Sequence, residues 1–167
     1  LPPEPVLDAT DEQLNAGNAP VVGHILPPHG PYIGRVADEW FPAFPDTQIW
    51  KRGPEFKEER ISPQIAMAKG IIDTDEAWQA YRASVASTWE VCKSHIARWA
   101  RDGNKVLVTA DHGEAFGGIR ELGLFAHPYR CHIPALTHVP LAKFSAGSVP
   151  NKAPETPEEQ LEALGYV

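Results

Sequence analysis

The chain has 167 residues, enough for one ordinary domain with a sizeable core, and 43% of them are hydrophobic, a globular and not a disordered composition. Lys plus Arg number 15 and Asp plus Glu number 22, so the formal net charge is −7. With no Lys/Arg cluster, this acidic chain is a poor candidate for binding nucleic acid or an anionic membrane surface, and no apolar run approaches the roughly 20 residues that span a bilayer.

The first residues have no Met, no basic segment and no apolar core of the kind found in a signal peptide. They do not resemble a natural start, and we therefore expect a fragment or a processed product. Two cysteines, Cys92 and Cys131, are too few for a disulfide framework and are expected to be unreactive thiols. These features do not determine the cellular compartment of the protein, although they slightly favour the cytoplasm.

We expect one incomplete domain made of three segments. Residues 1–19 are rich in Pro, Asp, Asn and Gly, which predicts an irregular lead-in. Residues 20–150 hold the predicted sheet and the metal motif. Residues 151–167 contain an N-cap threonine followed by proline, two spaced leucines and then a glycine. These start and stop signals predict a short terminal helix.

The chain before residue 73 contains one predicted strand and one long irregular stretch. Residues 20–26 form a short apolar run, which predicts a buried strand, and the prolines within 27–31 end it. His24 lies inside this run, so a hydrogen-bonded core histidine is its expected role. Residues 32–72 show no clear period, and their aromatic side chains among prolines and charges predict an ordered excursion.

The clearest element is a helix from about Thr74 to Asp102. Asp73 with Glu76 three residues later predicts a capping box, with Thr74 as the alternative N-cap, and Gly103 supplies the left-handed residue that ends a helix. An apolar stripe recurs along it at helical spacing and is expected to pack against a sheet. The stripe consists of Trp78, Tyr81, Val85, Trp89, Cys92, Ile96 and Trp99.

Residues 105–110 are β-branched and apolar without polar alternation, a pattern typical of strands that are covered on both faces in parallel sheets. Together with the strand at 20–26 and the helix between them, they predict a βαβ crossover and the α/β class. A further strand is expected within 135–142, broken by Pro140.

Asp111-His112-Gly113-Glu114 follows this second strand directly, and open α/β sheets bind ligands at the carboxyl ends of their strands. An adjacent carboxylate and imidazole suit a divalent cation such as Zn²⁺ or Mn²⁺, and a glycine lets the backbone turn so that both side chains face one point. Taken alone, the motif is equally compatible with an Asp that caps a turn beside an exposed His. Glu114 is either a hydrogen-bond acceptor for a ligand histidine or a solvated carboxylate.

Residues 106–118 resemble the late metal-site signature of the sulfatase and alkaline phosphatase superfamily, in which a buried strand ends in Thr-(Ser/Ala)-Asp-His-Gly-Glu. Other segments agree with the family in order and spacing. Residues 22–32 resemble its His-x-x-x-Pro-His-x-Pro-Tyr segment, 125–128 its Gly-His element, 138–141 its Arg-Val-Pro-Leu/Trp strand, and 160–167 its Leu-x-x-Leu-Gly-Tyr ending.

The resemblance implies that the chain is the C-terminal part of a three-layer α/β/α sandwich of the alkaline phosphatase-like type. The parent protein would be a metal-dependent hydrolase of sulfate or phosphate esters on small molecules or glycans, sulfatase-like in preference to phosphatase-like. Its cofactor would be a divalent metal ion: Zn, Mn, Mg or Ca. The resemblance makes Asp111, His112 and His127 metal ligands. His29 and His127 would face the anionic oxygens of the ester, where cationic groups lower the barrier.

The family's remaining parts are missing from the sequence, which has neither an Asp-x-x-Arg segment nor a Cys/Ser-x-Pro-x-Arg nucleophile motif. Cys131 does not substitute, because its proline is one place too far and the Arg is absent. The chain is therefore expected to supply no nucleophile, to bind metal weakly and to turn over esters poorly or not at all. Related transferases share the metal motif. The alternative is a catalytically inactive remnant or subunit with a binding or assembly role, associating through exposed sheet edges.

Overall fold

The computed structural model describes residues 2–30, 32–44 and 63–147, which form a mixed α/β protein with helices and small antiparallel sheets. The elements are α1 Glu4–Asn15, β1 Ile33–Val36, β2 Glu39–Pro42, α2 Pro63–Ala68, α3 Thr74–Arg101, β3 Val106–Thr109, β4 Ala115–Phe116, β5 Phe125–Ala126, α4 Pro134–Thr137 and β6 Leu141–Phe144. A 3₁₀ turn covers Ile119–Glu121. The terminal helix predicted at 151–167 lies outside the described residues. Within the described ranges, no helix is both long and apolar enough to cross a bilayer.

Helix α1 shows that the irregular lead-in predicted for residues 1–19 is wrong. Pro5 stands in the first helical turn, where its missing N–H would have no partner inside the helix in any case. Leu7 is buried against α3, so tertiary packing stabilises a segment whose composition suggested a loop. Gly17, with a φ of 78°, follows the end of the helix.

Asp11 joins α1 to α3. Its carboxylate accepts a hydrogen bond of 2.6 Å from the Arg98 guanidinium and another from the Trp99 indole, and it lies 3.2 Å from His95 Nδ1. Burial by itself raises the pKa of this carboxyl, but the two hydrogen bonds and the charges of Arg98 and His95 outweigh burial and lower the pKa. A folded-state pKa below the unfolded value stabilises the protein above the unfolded pKa. This stabilisation is lost as the pH falls through the folded pKa.

We therefore expect Asp11→Asn to lower the free energy of unfolding at pH 7 by about 1 kcal/mol, because the carboxylate is partly exposed and its ion pair is screened. Below about pH 4, the free energy of unfolding of the variant should also fall less steeply with decreasing pH than that of the wild type. Urea unfolding between pH 3 and 7 measures both effects, with Asp8→Asn on the exposed side of α1 as the control. If the stability of Asp11→Asn fell with pH as steeply as that of the wild type, the stabilising role of the Asp11 carboxylate would be contradicted.

Residues 20–26 form no strand and belong to no sheet, so the buried strand predicted there is wrong. A strand needs a neighbour for its N–H and C=O groups, and an apolar run does not reveal whether one exists. Val22 is 89% exposed and His24 is also exposed, so the core role expected for His24 is wrong as well. The proline turn that follows is present, with the backbone N–H of His29 donating to the Leu26 carbonyl at 3.0 Å.

The stretch from 32 to 72 contains an antiparallel hairpin, β1–β2, where the sequence shows no period. Its two turn residues, Ala37 and Asp38, have φ values of 47° and 69°. Positive φ at both central residues is the mark of a type I′ turn, which normally carries Asn-Gly. Because Ala-Asp is not one of the favoured pairs, the turn could not be read from the sequence. Residues 45–62 of this stretch lie outside the described ranges.

Helix α3 confirms the predicted helix. Asp73 is its N-cap, with Oδ1 accepting from the backbone N–H groups of Asp75 at 2.9 Å and Glu76 at 3.1 Å. Gly103 follows its end with a φ of 94°, as expected for a left-handed residue after a helix. The sequence located both ends because capping depends on neighbouring residues alone.

The apolar stripe of α3 is only partly covered, because Trp78 is 42% exposed and Val85 is also exposed. Two clusters of buried side chains pack along this helix. One consists of Tyr32, Ala66, Met67, Ile72, Ala77 and Phe116, and the other of Leu7, Cys92 and Ile96. Burial raises the pKa of the Cys92 thiol to about 11, which agrees with the unreactive role predicted for it.

Strand β3 confirms a strand at 105–110, but its predicted environment is wrong. It pairs antiparallel with β6, Val106 lying opposite Phe144, and alternate residues are exposed. The parallel βαβ crossover is therefore not formed among the described residues. The strand expected within 135–142 is replaced by α4, with Pro134 at its first position, and by β6.

Candidate metal and anion site

Gly113 fixes the position of the Asp-His-Gly motif just beyond the end of β3. Its backbone N–H donates to the Leu136 carbonyl at 2.9 Å, and a Cβ at this position would overlap the Ala135 carbonyl oxygen. The glycine is therefore required by the close approach of α4 and not by a left-handed backbone angle. The sequence predicted a glycine-dependent turn here, and the structure gives the close approach as its cause.

Asp111 and His112 face one another across a short gap. Asp111 Oδ2 lies 3.8 Å from His112 Nε2. His112 Nδ1 is 2.8 Å from the Gly113 carbonyl oxygen, and when Nδ1 donates its hydrogen there, Nε2 keeps its lone pair for a ligand. Two atoms that bind one cation at about 2.1 Å in tetrahedral geometry lie about 3.4 Å apart. The pair is therefore close to the spacing of two ligands of a single ion.

Asp111 is held in its carboxylate form. Burial by itself raises its pKa, but the charge of His112, a 3.0 Å hydrogen bond from the His112 backbone N–H and the charge of His24 lower it overall. An ionised carboxylate is the form that binds a metal. His24 lies near enough to affect Asp111 electrostatically, so it belongs to the surroundings of the site.

The structure brings the other two predicted residues, His127 and His29, to the same place. The ring centroid of His127 is 4.2 Å from that of His112, with the ring planes 35° apart, and 6.0 Å from that of His29. His29 Nδ1 lies 2.6 Å from the Gly30 carbonyl oxygen. Residues from three separate parts of the chain thus form one cluster around Asp111.

The cluster fits a divalent cation only in part. Asp111 and His112 offer one oxygen and one nitrogen, the donor set that Zn²⁺ or Mn²⁺ accepts. The ring of His127 lies against the ring of His112, and its Nδ1 is 3.6 Å from the Glu114 carboxylate. Within the described parts of the chain, no three His, Cys, Asp or Glu side chains are placed to hold an ion together. The pair can therefore supply two of the four ligands that zinc takes.

An open cavity of about 440 Å³ lies beside the motif. This volume falls in the range of small-molecule sites, about 300–1,000 Å³. Asp111, His112 and His127 line the cavity together with the loop 128–132. His132, which had no motif match in the sequence, is one of the lining side chains.

The loop that carries His127 has an unusual backbone. Ala126, just before His127, has a φ of 67°, and Arg130, within the loop, has a φ of 62°, so two non-glycine residues here adopt left-handed conformations. Such residues cost about 1–3 kcal/mol each and cluster at functional sites. The Arg130 guanidinium lies 5.2 Å from the centroid of the Tyr129 ring, and both line the cavity. The loop thus adds a guanidinium group to the lining of the cavity.

The side chain of Glu114 is buried, so the solvated role considered for it is wrong. Its side chain is 6% exposed, and Oε1 has no hydrogen-bond partner and lies 3.6 Å from His127 Nδ1. Burial raises the pKa of Glu114, opposed by the charge of His127, a hydrogen bond from Gln64, the close approach of the His127 ring and the charge of His29. The only sequence signal for this burial is the apolar pair that follows it, Ala115-Phe116 in β4.

Comparison with known proteins gives no match to this chain among family models, curated proteins or solved structures. The resemblance to the sulfatase and alkaline phosphatase superfamily therefore rests on the motif residues themselves. The geometry of the cluster around Asp111 is the remaining guide to function.

Proposed function

We propose that this chain supplies part of the metal and anion site of a sulfatase-like, metal-dependent hydrolase. The substrates of the parent protein would be sulfate or phosphate esters of small molecules or glycans. The chief support is the placement of Asp111 and His112 at the end of β3, with Oδ2 and Nε2 3.8 Å apart beside an open cavity. In the parent protein, the small sheets would belong to a three-layer α/β/α sandwich of the alkaline phosphatase-like type.

Asp111 and His112 would hold the divalent cation, which when bound neutralises charge that develops on the ester oxygens. His29 and His127 would contact those oxygens directly. Each ring has Nδ1 near a protein oxygen, the Gly30 carbonyl for His29 and the Glu114 carboxylate for His127. In the imidazolium form, such a ring donates one N–H to its protein partner and the other to an anionic oxygen. The sequence provides no nucleophile, so this chain would have a binding and orienting role.

The test of the proposed site is metal affinity. The purified chain is titrated with Zn²⁺ and, separately, Mn²⁺ by calorimetry, and bound metal is measured after dialysis. We expect Asp111→Ala to weaken binding at least about tenfold, the scale on which loss of a ligand or its support acts. Asp8→Ala, an exposed carboxylate on α1, is the matched control and should bind as the wild type does. Unchanged metal content in Asp111→Ala would remove the assignment.

A second candidate function, an inactive remnant or subunit retained for assembly, is favoured by exposed apolar side chains. Trp78 and Val85 on α3 and Leu107 and Leu141 on the β3–β6 sheet are exposed. Such surface can mark an interaction face. An assay of the chain with an activated aryl sulfate and an aryl phosphate bears on both candidates. We expect little or no turnover, and turnover at the rate of a complete enzyme would contradict a partial site.

A further inference from the structure

We propose that Glu114 is the positioning residue of His127: its buried carboxylate fixes the ring through Nδ1 and so directs Nε2 into the cavity beside Asp111 and His112. The contact itself is a property of this chain. Its consequence for metal or ester binding rests on the function proposed above.

The burial of Glu114 calls for a partner. A carboxylate that is removed from water costs free energy unless it is paired or hydrogen-bonded. Only 6% of this side chain is exposed, whereas His127 is 39% exposed. Gln64 hydrogen-bonds the carboxylate, but Oε1 is buried without a hydrogen bond, and the one ion-pair contact found for Glu114 among the described residues is the 3.6 Å approach to His127 Nδ1. A buried, unsatisfied oxygen directed at a histidine indicates a contact that the site uses.

The fold explains why these two residues meet. Strands β4 and β5 pair antiparallel, with Ala115 opposite Ala126. Glu114 and His127 are the next residues outward on the two strands, so they are cross-strand neighbours at the end of the ladder. The left-handed φ of 67° at Ala126 turns the chain immediately before His127. The side chains are thus brought together by strand register and by a strained residue.

The distance of 3.6 Å is too long for a hydrogen bond and short enough for one to form by a small rotation of the half-exposed His127 ring. With Nδ1–H directed at Glu114, the other nitrogen, Nε2, faces away from the carboxylate. The same pattern holds at His112, whose Nδ1 lies 2.8 Å from the Gly113 carbonyl, and at His29, whose Nδ1 lies 2.6 Å from the Gly30 carbonyl. Glu114 would give His127 the fixed orientation that backbone carbonyls give to the other two.

The test is the tautomer of His127, read by long-range ¹H–¹⁵N NMR of ¹⁵N-histidine-labelled, metal-free protein, with the His127 signal assigned by its loss in His127→Gln. We expect one tautomer with Nδ1 protonated in the wild type. In Glu114→Ala this pattern should be lost to a mixture of both tautomers. Glu114→Gln keeps an acceptor oxygen and should retain the wild-type pattern. Glu90→Gln, a carboxylate on α3 that pairs with Lys93, is the control.

If Glu114→Ala does not fold, Glu114→Met has a similar length without an acceptor and provides the same comparison. An unchanged Nδ1-protonated pattern in either variant would overturn the positioning role. The metal titration of Asp111→Ala separates this result from the proposed function. A tautomer that depends on Glu114 with metal binding that does not depend on Asp111 keeps the positioning role and removes the metal site. The reverse result keeps the metal site and removes the positioning role.

Discussion

Replacing Gly113 by alanine is expected to lower the free energy of unfolding by about 3 kcal/mol and to displace Asp111 and His112 together. The added Cβ would overlap the carbonyl oxygen of Ala135, a backbone atom that cannot rotate away as the end of a flexible side chain can. The neighbouring Leu136 is buried, which limits any retreat of α4. If α4 moved away from the motif, the hydrogen bond from the Gly113 N–H to the Leu136 carbonyl would break. The substitution is therefore costly whether the overlap remains or α4 moves away and the hydrogen bond is lost.

Two measurements check this prediction, urea unfolding for stability and Zn²⁺ titration for the geometry of the motif. Gly34→Ala is the matched control, because an added Cβ there meets nothing within 4 Å and its φ lies outside the left-handed region. That variant should be as stable as the wild type or more stable by up to about 1 kcal/mol. A Gly113→Ala variant with wild-type stability and wild-type metal affinity would show that α4 does not confine the motif.

The parts of the fold that could be predicted are those whose signals are local. Asp73 and Gly103 mark the ends of α3 through contacts with their immediate neighbours, and the apolar spacing between them requires no partner to be recognised. The β1–β2 turn is also local, but Ala37-Asp38 does not carry the residues that a type I′ turn favours. A local feature can therefore be predicted when it is formed by the residues that usually form it.

The pairing of strands could not be predicted, because it depends on distant residues. The apolar run at 105–110 is the same whether its neighbour is parallel or antiparallel, and only the contact with β6 decides. Helix α1 could not be predicted for a similar reason. Its prolines and polar residues suggest a loop, and the contacts of Leu7 and Asp11 with α3 stabilise it. Tertiary packing overrides composition in such segments.

The candidate site likewise contains residues that could be predicted from local sequence and one that could not. Asp111 and His112 are adjacent in the sequence, so their shared position after a strand was predictable, and the family resemblance added His29 and His127. The sequence leaves two roles open for Glu114, because its burial depends on the register between β4 and β5, which the sequence does not show. Its membership of the site became visible only with the fold.

Tyr32→Ala is expected to lower the free energy of unfolding by about 3–5 kcal/mol, the cost of truncating a fully buried aromatic side chain. Tyr32 has no exposed surface, and its ring meets Tyr81 edge-on at 5.8 Å and Phe116 at 6.3 Å. Phe116 belongs to β4, the strand that follows Glu114. A cavity at Tyr32 would therefore loosen the packing of β4, which sets the contact between Glu114 and His127.

Tyr32→Phe removes the hydroxyl and keeps the ring, so it tests their contributions to stability separately. The hydroxyl is buried and has no hydrogen-bond partner among the described residues, and burial followed by the nearby charge of Glu114 raises its pKa. Removing an unpaired buried hydroxyl while keeping the ring should leave stability unchanged or increase it. Urea unfolding of both variants provides the comparison, because the difference between them isolates the ring. If Tyr32→Phe lost as much stability as Tyr32→Ala, the hydroxyl would have to be hydrogen-bonded in the folded protein.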